Sequence, residues 1–154
     1  MTMPTREERR SSGVILSMRI LIGPVLPVNA TLWDQMDRIR KGMPMTGFDR
    51  FVEATGWSPQ VVCHHIGLAV RTLARRRKEK VLQPYESERL LRMARTIAYA
   101  AERIGLERAQ EWVAMPHRDL KGKTPLSILD VDIGAQWVER MTLEIPFPSL
   151  VSLA

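Results

Sequence analysis

With 154 residues, 45% of them apolar and 26% charged, the chain has room for one compact domain or two small ones and is too apolar to be globally disordered. Its formal net charge of +6 favours an anionic partner (nucleic acid, an anionic membrane or an acidic protein) without choosing among them. The single cysteine, Cys63, rules out an intrachain disulfide, and its apolar neighbours suggest a small buried residue rather than a nucleophile.

Residues 1–13 are polar and read as a flexible tail, with Arg6, Arg9 and Arg10 either solvated or touching phosphates. Residues 14–28, VILSMRILIGPVLPV, are apolar but contain Gly23, Pro24 and Pro27, which reads as a short strand or an extended arm packed on another surface. Exposed, such an arm hints at self-association. Basic residues ahead of an apolar stretch loosely resemble a secretion signal, yet Arg19 interrupts the stretch and no small-residue cleavage pattern follows. No run reaches the ~20 apolar residues that a membrane span requires, so the expectation is a soluble, cytoplasmic protein with no membrane partner.

Thr31 is a candidate cap for a helix over 31–40, where Leu32, Trp33, Met36 and Ile39 recur at helical spacing up to Gly42. A second short helix spans 46–53, with Phe48, Phe51 and Val52 inward, and Gly56 ends it. Ser58 and Pro59 form a strong start signal for a third, which Gly67 stops after about two turns. A fourth begins near Leu68 or Ala69, with Val70, Leu73 and Ala74 facing the core. Residues 71–80 carry six Arg or Lys against one Glu, and Arg71, Arg75 and Lys78 share one side. A helix, a tight glycine junction and a basic second helix have the form of a helix-turn-helix, which docks long donors in the major groove. Thr72 could read a base or bind a phosphate. A solvated basic face or an acidic protein partner would give the same pattern. His64 and His65 diverge on their helix and have no suitably spaced ligand partner, so they read as ordinary helix residues rather than a metal site.

After Pro84, a long helix over 86–104 carries a broad apolar stripe of Leu90, Leu91, Ala94, Ile97, Ala98, Ala101 and Ile104, with Arg89, Arg92 and Arg95 outside it. It reads as a spine joining two halves that share a core. Beyond Gly105, a short helix turns Leu106, Ala109, Trp112 and Val113 inward, and residues 117–123 form a loop pinned by Leu120 and turning at Gly122. Thr124 and Pro125 repeat the cap-plus-proline signal. Asp130 or Asp132 is expected to cap a last helix with Ile133, Trp137, Val138 and Met141 inward. The tail, with Pro146 and Pro148, is expected to be extended, and Phe147, Leu150, Val151 and Leu153 to need a groove. No phosphate loop, HExxH pattern or nucleophile elbow is present, and nothing demands a catalytic, cofactor or metal site.

The downstream text closely resembles the toxin-binding domain of Xre/ParS-type antitoxins. Trp112, Pro116, Leu120, Gly122, Thr124, Pro125, Leu126, Leu129, Asp130, Gly134, Ala135, Val138 and Glu139 carry the likeness. The run from Arg71 to Arg76, then Leu82, Pro84, Glu88 to Arg92, Ala94 and Arg95, is similar to the same family's Xre-like helix-turn-helix. The resemblance covers roughly residues 45–145. It implies an antitoxin that dimerises, represses its own operon by binding operator DNA, and covers the active-site cleft of a RES-domain toxin. Such toxins consume NAD by phosphorolysis or ADP-ribosyl transfer. The chain departs from the pattern at Met115, Pro116 and His117, at Leu68 and Ala69 where a polar cap is usual, and at Ile145, Pro146 and Phe147.

The expected fold is therefore all-α: an arm over 1–28, a helix-turn-helix and dimerisation domain over 29–104, and a toxin-binding domain with an extended tail over 105–154. Arg71, Thr72, Arg75, Arg76 and Lys78 are the expected DNA contacts. By analogy, the expected toxin contacts are Lys121, Lys123, Thr124, Arg140, Glu144 and Phe147. The alternative is a helix-turn-helix transcription regulator without a toxin, resting on the basic helix alone.

Overall fold

The computed structural model describes residues 2–147. Leu150, Val151 and Leu153 of the expected tail lie outside them. Among the described residues there are eight α-helices and no strand: α1 (Arg6–Ile22), α2 (Leu32–Lys41), α3 (Met45–Thr55), α4 (Pro59–Ile66), α5 (Val70–Glu79), α6 (Pro84–Ile104), α7 (Leu106–Val113) and α8 (Asp132–Glu144). Single 3-10 turns at Arg118–Leu120 and Leu126–Ile128 connect the last two.

Helix α6 is the spine. Pro84 opens it, and the Glu86 carboxylate closes a capping box by accepting the Gln83 backbone N–H at 2.8 Å. Helices α1, α2, α4, α7 and α8 all pack on it. Leu90, Met93, Ala94, Ile97, Ala98 and Ala100 are fully or almost fully buried, so its apolar stripe wraps most of the circumference, as a central helix requires. The alanines let neighbours approach closely. Of the arginines expected outside the stripe, Arg92 is instead buried. Its guanidinium donates to the Leu129 carbonyl at 2.8 Å and to Glu88 at 2.7 Å, pinning the downstream loop to the spine.

The expected flexible tail and arm are replaced by α1. Thr5 and Glu8 form a reciprocal capping box, and Val14, Ile15, Met18, Leu21 and Ile22 line one buried face. The breakers do not interrupt this helix; they end it. Gly23 is its cap, at φ 78°, with Pro24 just beyond. Arg19 sits in the apolar run because its guanidinium donates to the Leu26 carbonyl, holding the chain as it leaves the helix. Where α1 meets α6, the Glu102 carboxylate occupies the space a side chain at Gly13 would fill. Burial pushes that carboxyl up from its usual range, and Arg10 partly offsets the shift.

The last helix also differs from expectation. Neither Asp130 nor Asp132 caps α8; Val131 holds the cap position with no side-chain bond. The buried face is Gly134, Ala135, Val138 and Thr142, whereas Ile133 is 76% and Trp137 55% exposed. The reason is backbone proximity. Gly134 lies against the Ile128 carbonyl, where a Cβ would overlap the oxygen. Arg95 adds an ion pair to Glu139 at 3.2 Å. Gly134→Ala is expected to destabilise the fold by roughly 1–3 kcal/mol through overpacking, read as a lower denaturant midpoint.

Candidate DNA-facing helix and partner-binding face

The helix-turn-helix is built from α4 and α5. Ser58 caps α4, accepting the Val61 N–H at 3.2 Å. Gly67 makes the turn in the left-handed region at φ 70°, and its carbonyl accepts the Tyr85 hydroxyl. A side chain at Gly67 would collide with that hydroxyl, so the junction needs glycine for both conformation and space. Leu68 then plugs the core, and α5 starts at Ala69 without a side-chain cap. On α4, the rings of His64 and His65 meet edge to face at 5.3 Å. Burial, then the neighbouring His64, hold His65 below the usual imidazole range.

The basic run divides by environment. Arg71, Arg75 and Lys78 are exposed along one side of α5, and Thr72 beside them is half-buried. Arg75 has only a loose 3.7 Å approach to Glu79. Arg77 is engaged by Asp49 at 2.7 Å. Arg76, expected to touch DNA, is 8% exposed and turns inward. Its Nε and Nη2 donate to Glu86, each at 2.9 Å, and Nη1 donates to Glu79 at 3.2 Å. Those bonds raise its pKa further above the ordinary guanidinium value, with Glu86 the main cause. The expected inward residues Val70 and Ala74 are exposed, and only Leu73 of the three is half-buried. Arg76 takes the core position because Glu86, in the first turn of α6, supplies a buried counter-charge.

In the C-terminal region, the loop after α7 closes on itself. The Gly122 N–H donates to the His117 carbonyl and the His117 N–H to the Lys123 carbonyl, both at 3.0 Å, with Leu120 tucked beneath. The His117 ring packs 4.8 Å from Trp112. Lys121 turns the chain at φ 56°, before Gly122 at φ 82°. Both Lys121 and Lys123 are exposed as a result. The Thr124 hydroxyl is committed to the following turn, accepting the Ser127 N–H at 3.1 Å.

This loop and the outer side of α8 flank two adjoining clefts. One, about 290 Å³, is lined by Lys121, Lys123, Val131, Ile133 and Trp137. The other, about 610 Å³, is lined by Ile133, Gln136, Trp137, Arg140 and Glu144. Trp137 and Ile133 border both. Four expected contact residues, Lys121, Lys123, Arg140 and Glu144, thus surround an apolar centre that was expected to be core. Thr124 does not line either cleft. Phe147 lies elsewhere, 4.5 Å from the Arg103 guanidinium near the start of α1. The overlooked residues are Val131, Ile133 and Trp137, and the clue in the text is the small pair Gly134 and Ala135 on the opposite face.

Two family models match the chain. The antitoxin Xre-like helix-turn-helix domain matches residues 34–95, and the antitoxin Xre/MbcA/ParS C-terminal toxin-binding domain matches residues 104–141. The chain belongs to the Xre/ParS-type antitoxins. No curated protein matches it. In this antitoxin, α5 lies within the helix-turn-helix match and Ile133 and Trp137 within the toxin-binding match, while α1 precedes both. Two matched domains of these kinds make it an antitoxin of the type II class. Among the described residues, no helix is long and apolar enough to cross a membrane.

Proposed function

We propose that this antitoxin neutralises a RES-domain, NAD-consuming toxin by seating its α8 face over the mouth of the toxin's active site, and that it represses its own operon through α5. The exposed Ile133 and Trp137 centre carries the reading. A tryptophan ringed by charged side chains, on the outer face of a toxin-binding domain, has the anatomy of an interface hot spot with a polar rim. Lys121 and Lys123 on one side, with Arg140 and Glu144 on the other, would set orientation and association rate more than affinity. Co-expression with a RES-type neighbour should give a complex in which NAD consumption is blocked. A failure to associate would remove the proposal.

The operator half rests on Arg71, Arg75 and Lys78, with Thr72 beside them. Replacing the three cations by alanine should abolish promoter retention while leaving toxin neutralisation intact. Each lost phosphate contact should also lower the slope of log affinity against log salt by about 0.9. Electrophoretic retention over a salt series reads both effects.

A further inference from the structure

Where the end of α1 meets α2 and the start of α3 lies a cleft of about 640 Å³, bordered by none of the toxin-facing or operator-facing residues. Its charged lining is Arg19, Arg38 and Arg50, and among the described residues no acidic side chain lines it. None of these three arginines is in an ion pair among the described residues, whereas Arg75, Arg76, Arg77, Arg92 and Arg95 each meet a carboxylate. Each of the three is tied instead to a backbone carbonyl. Arg19 donates through Nη1 to Leu26, Arg38 through Nη2 to Gly42 at 3.1 Å, and Arg50 through Nε to Ile20 at 3.2 Å. A carbonyl fixes the direction of a guanidinium fork without neutralising its charge, and further N–H groups stay unused. Arg38 Nε is buried with no partner, so that charge is partly withdrawn from water while the chain supplies no counter-charge.

The rest of the wall suits the same occupant. Thr46 is exposed in the first turn of α3, where its N–H has no intrahelical acceptor and the helix dipole favours an anion. That turn holds no acidic residue, and Pro44 provides no side-chain cap. Ile22, Pro24 and Val25 supply an apolar side.

A DNA duplex is met by cations that protrude, as those of α5 do. Here Arg19 and Arg38 are half-buried and tethered, and only Arg50 is exposed, so the occupant must enter the cleft. Guanidinium forks together with the N–H groups of a helix start match the oxygens of a phosphate group. We propose that the cleft binds a small, multiply charged phosphate compound, held by Arg19, Arg38 and Arg50 against the first turn of α3. The site depends on neither the toxin reading nor the operator reading.

Calorimetric titration of the full chain with inorganic pyrophosphate at fixed ionic strength should show a single site. Arg50→Gln and, separately, Arg38→Gln should each weaken binding by about tenfold or more, the size of a lost charge-assisted bond. Arg108→Gln, which removes the same charge from an exposed position on α7, should leave it unchanged. In the native protein, pyrophosphate should shift the amide resonances of Thr46 and Gly47 more than those of α5, a readout that needs no substitution. Citrate should bind at least about tenfold more weakly than pyrophosphate, because its planar carboxylates lack the tetrahedral oxygens. Absence of binding by the native chain, an equal loss in Arg108→Gln, or undiminished binding by both cleft variants would overturn the site. So would equal affinity for citrate, or resonance changes centred on α5. Loss of DNA retention in Arg50→Gln, parallel to its loss of pyrophosphate, would make DNA the occupant and overturn the small-molecule assignment.

Discussion

Trp137→Ser is expected to weaken toxin binding by at least 30-fold, and the pair Ile133→Ser and Trp137→Ser by more, with little change in fold stability. Trp137 is 55% and Ile133 76% exposed, so the free protein gains little from either side chain. In the complex, both would lie at the centre of the buried patch. Truncating a desolvated tryptophan there typically costs about 2–4 kcal/mol, and each 1.4 kcal/mol is about tenfold in affinity. Alanine at Lys121, Lys123 or Arg140 is expected to alter association rate and salt dependence with a smaller loss of affinity. Calorimetric or surface-binding titration against the purified toxin measures both. A Trp137→Ser protein that keeps full affinity would place the contact elsewhere on the C-terminal domain.

Arg76→Ala is expected to destabilise the helix-turn-helix by roughly 3–5 kcal/mol, whereas Arg71→Ala should stay within about 0.5 kcal/mol of the native protein. The two arginines lie five positions apart on one helix, and environment alone separates them. Glu86 is 2% exposed and receives three guanidinium contacts from Arg76. Removing the cation strands that carboxylate in a site with little water. The same carboxylate caps α6 at Gln83, so its loss also loosens the spine's first turn. The double variant Arg76→Met and Glu86→Leu removes both charges and should regain much of the loss, because an apolar pair of similar volume does not carry the desolvation penalty. Chemical denaturation of the native protein, Arg76→Met, Glu86→Leu and the double variant completes the cycle. Equal effects of Arg71→Ala and Arg76→Ala on stability would contradict the assignment. Any loss of operator binding in Arg76→Ala should track unfolding rather than a missing contact, and should leave the salt slope of the folded fraction unchanged.

Much of the architecture was readable because local chemistry and packing agree. Ser58 with Pro59, Thr31, Thr124 and the glycines at 42, 56, 67 and 105 mark real element ends, and the α6 stripe is broad enough to name the spine. What was not readable had a cause outside the local text. Helix α1 was hidden because Gly23 and Pro24 are breakers whether they interrupt an apolar run or finish one; only packing against α3 and α6 decides. Arg76 reads as surface until its partner Glu86 is brought beside it from ten positions away. On α8, hydrophobic spacing pointed to the wrong face. A binding surface and a core are both apolar, while the face that docks does so through Gly134 and Ala135, whose value is closeness rather than hydrophobicity. The loop lysines and Arg140 were found as contact candidates, but the centre they surround was not.

The most direct test of the account is titration of a cognate RES-domain toxin's NAD consumption with the full antitoxin and with the variant Ile133→Ser and Trp137→Ser. Stoichiometric inhibition by the native protein, with none by an equally folded variant at the same concentration, is the expected result. Equal inhibition by both would contradict the α8 face as the part that closes the toxin.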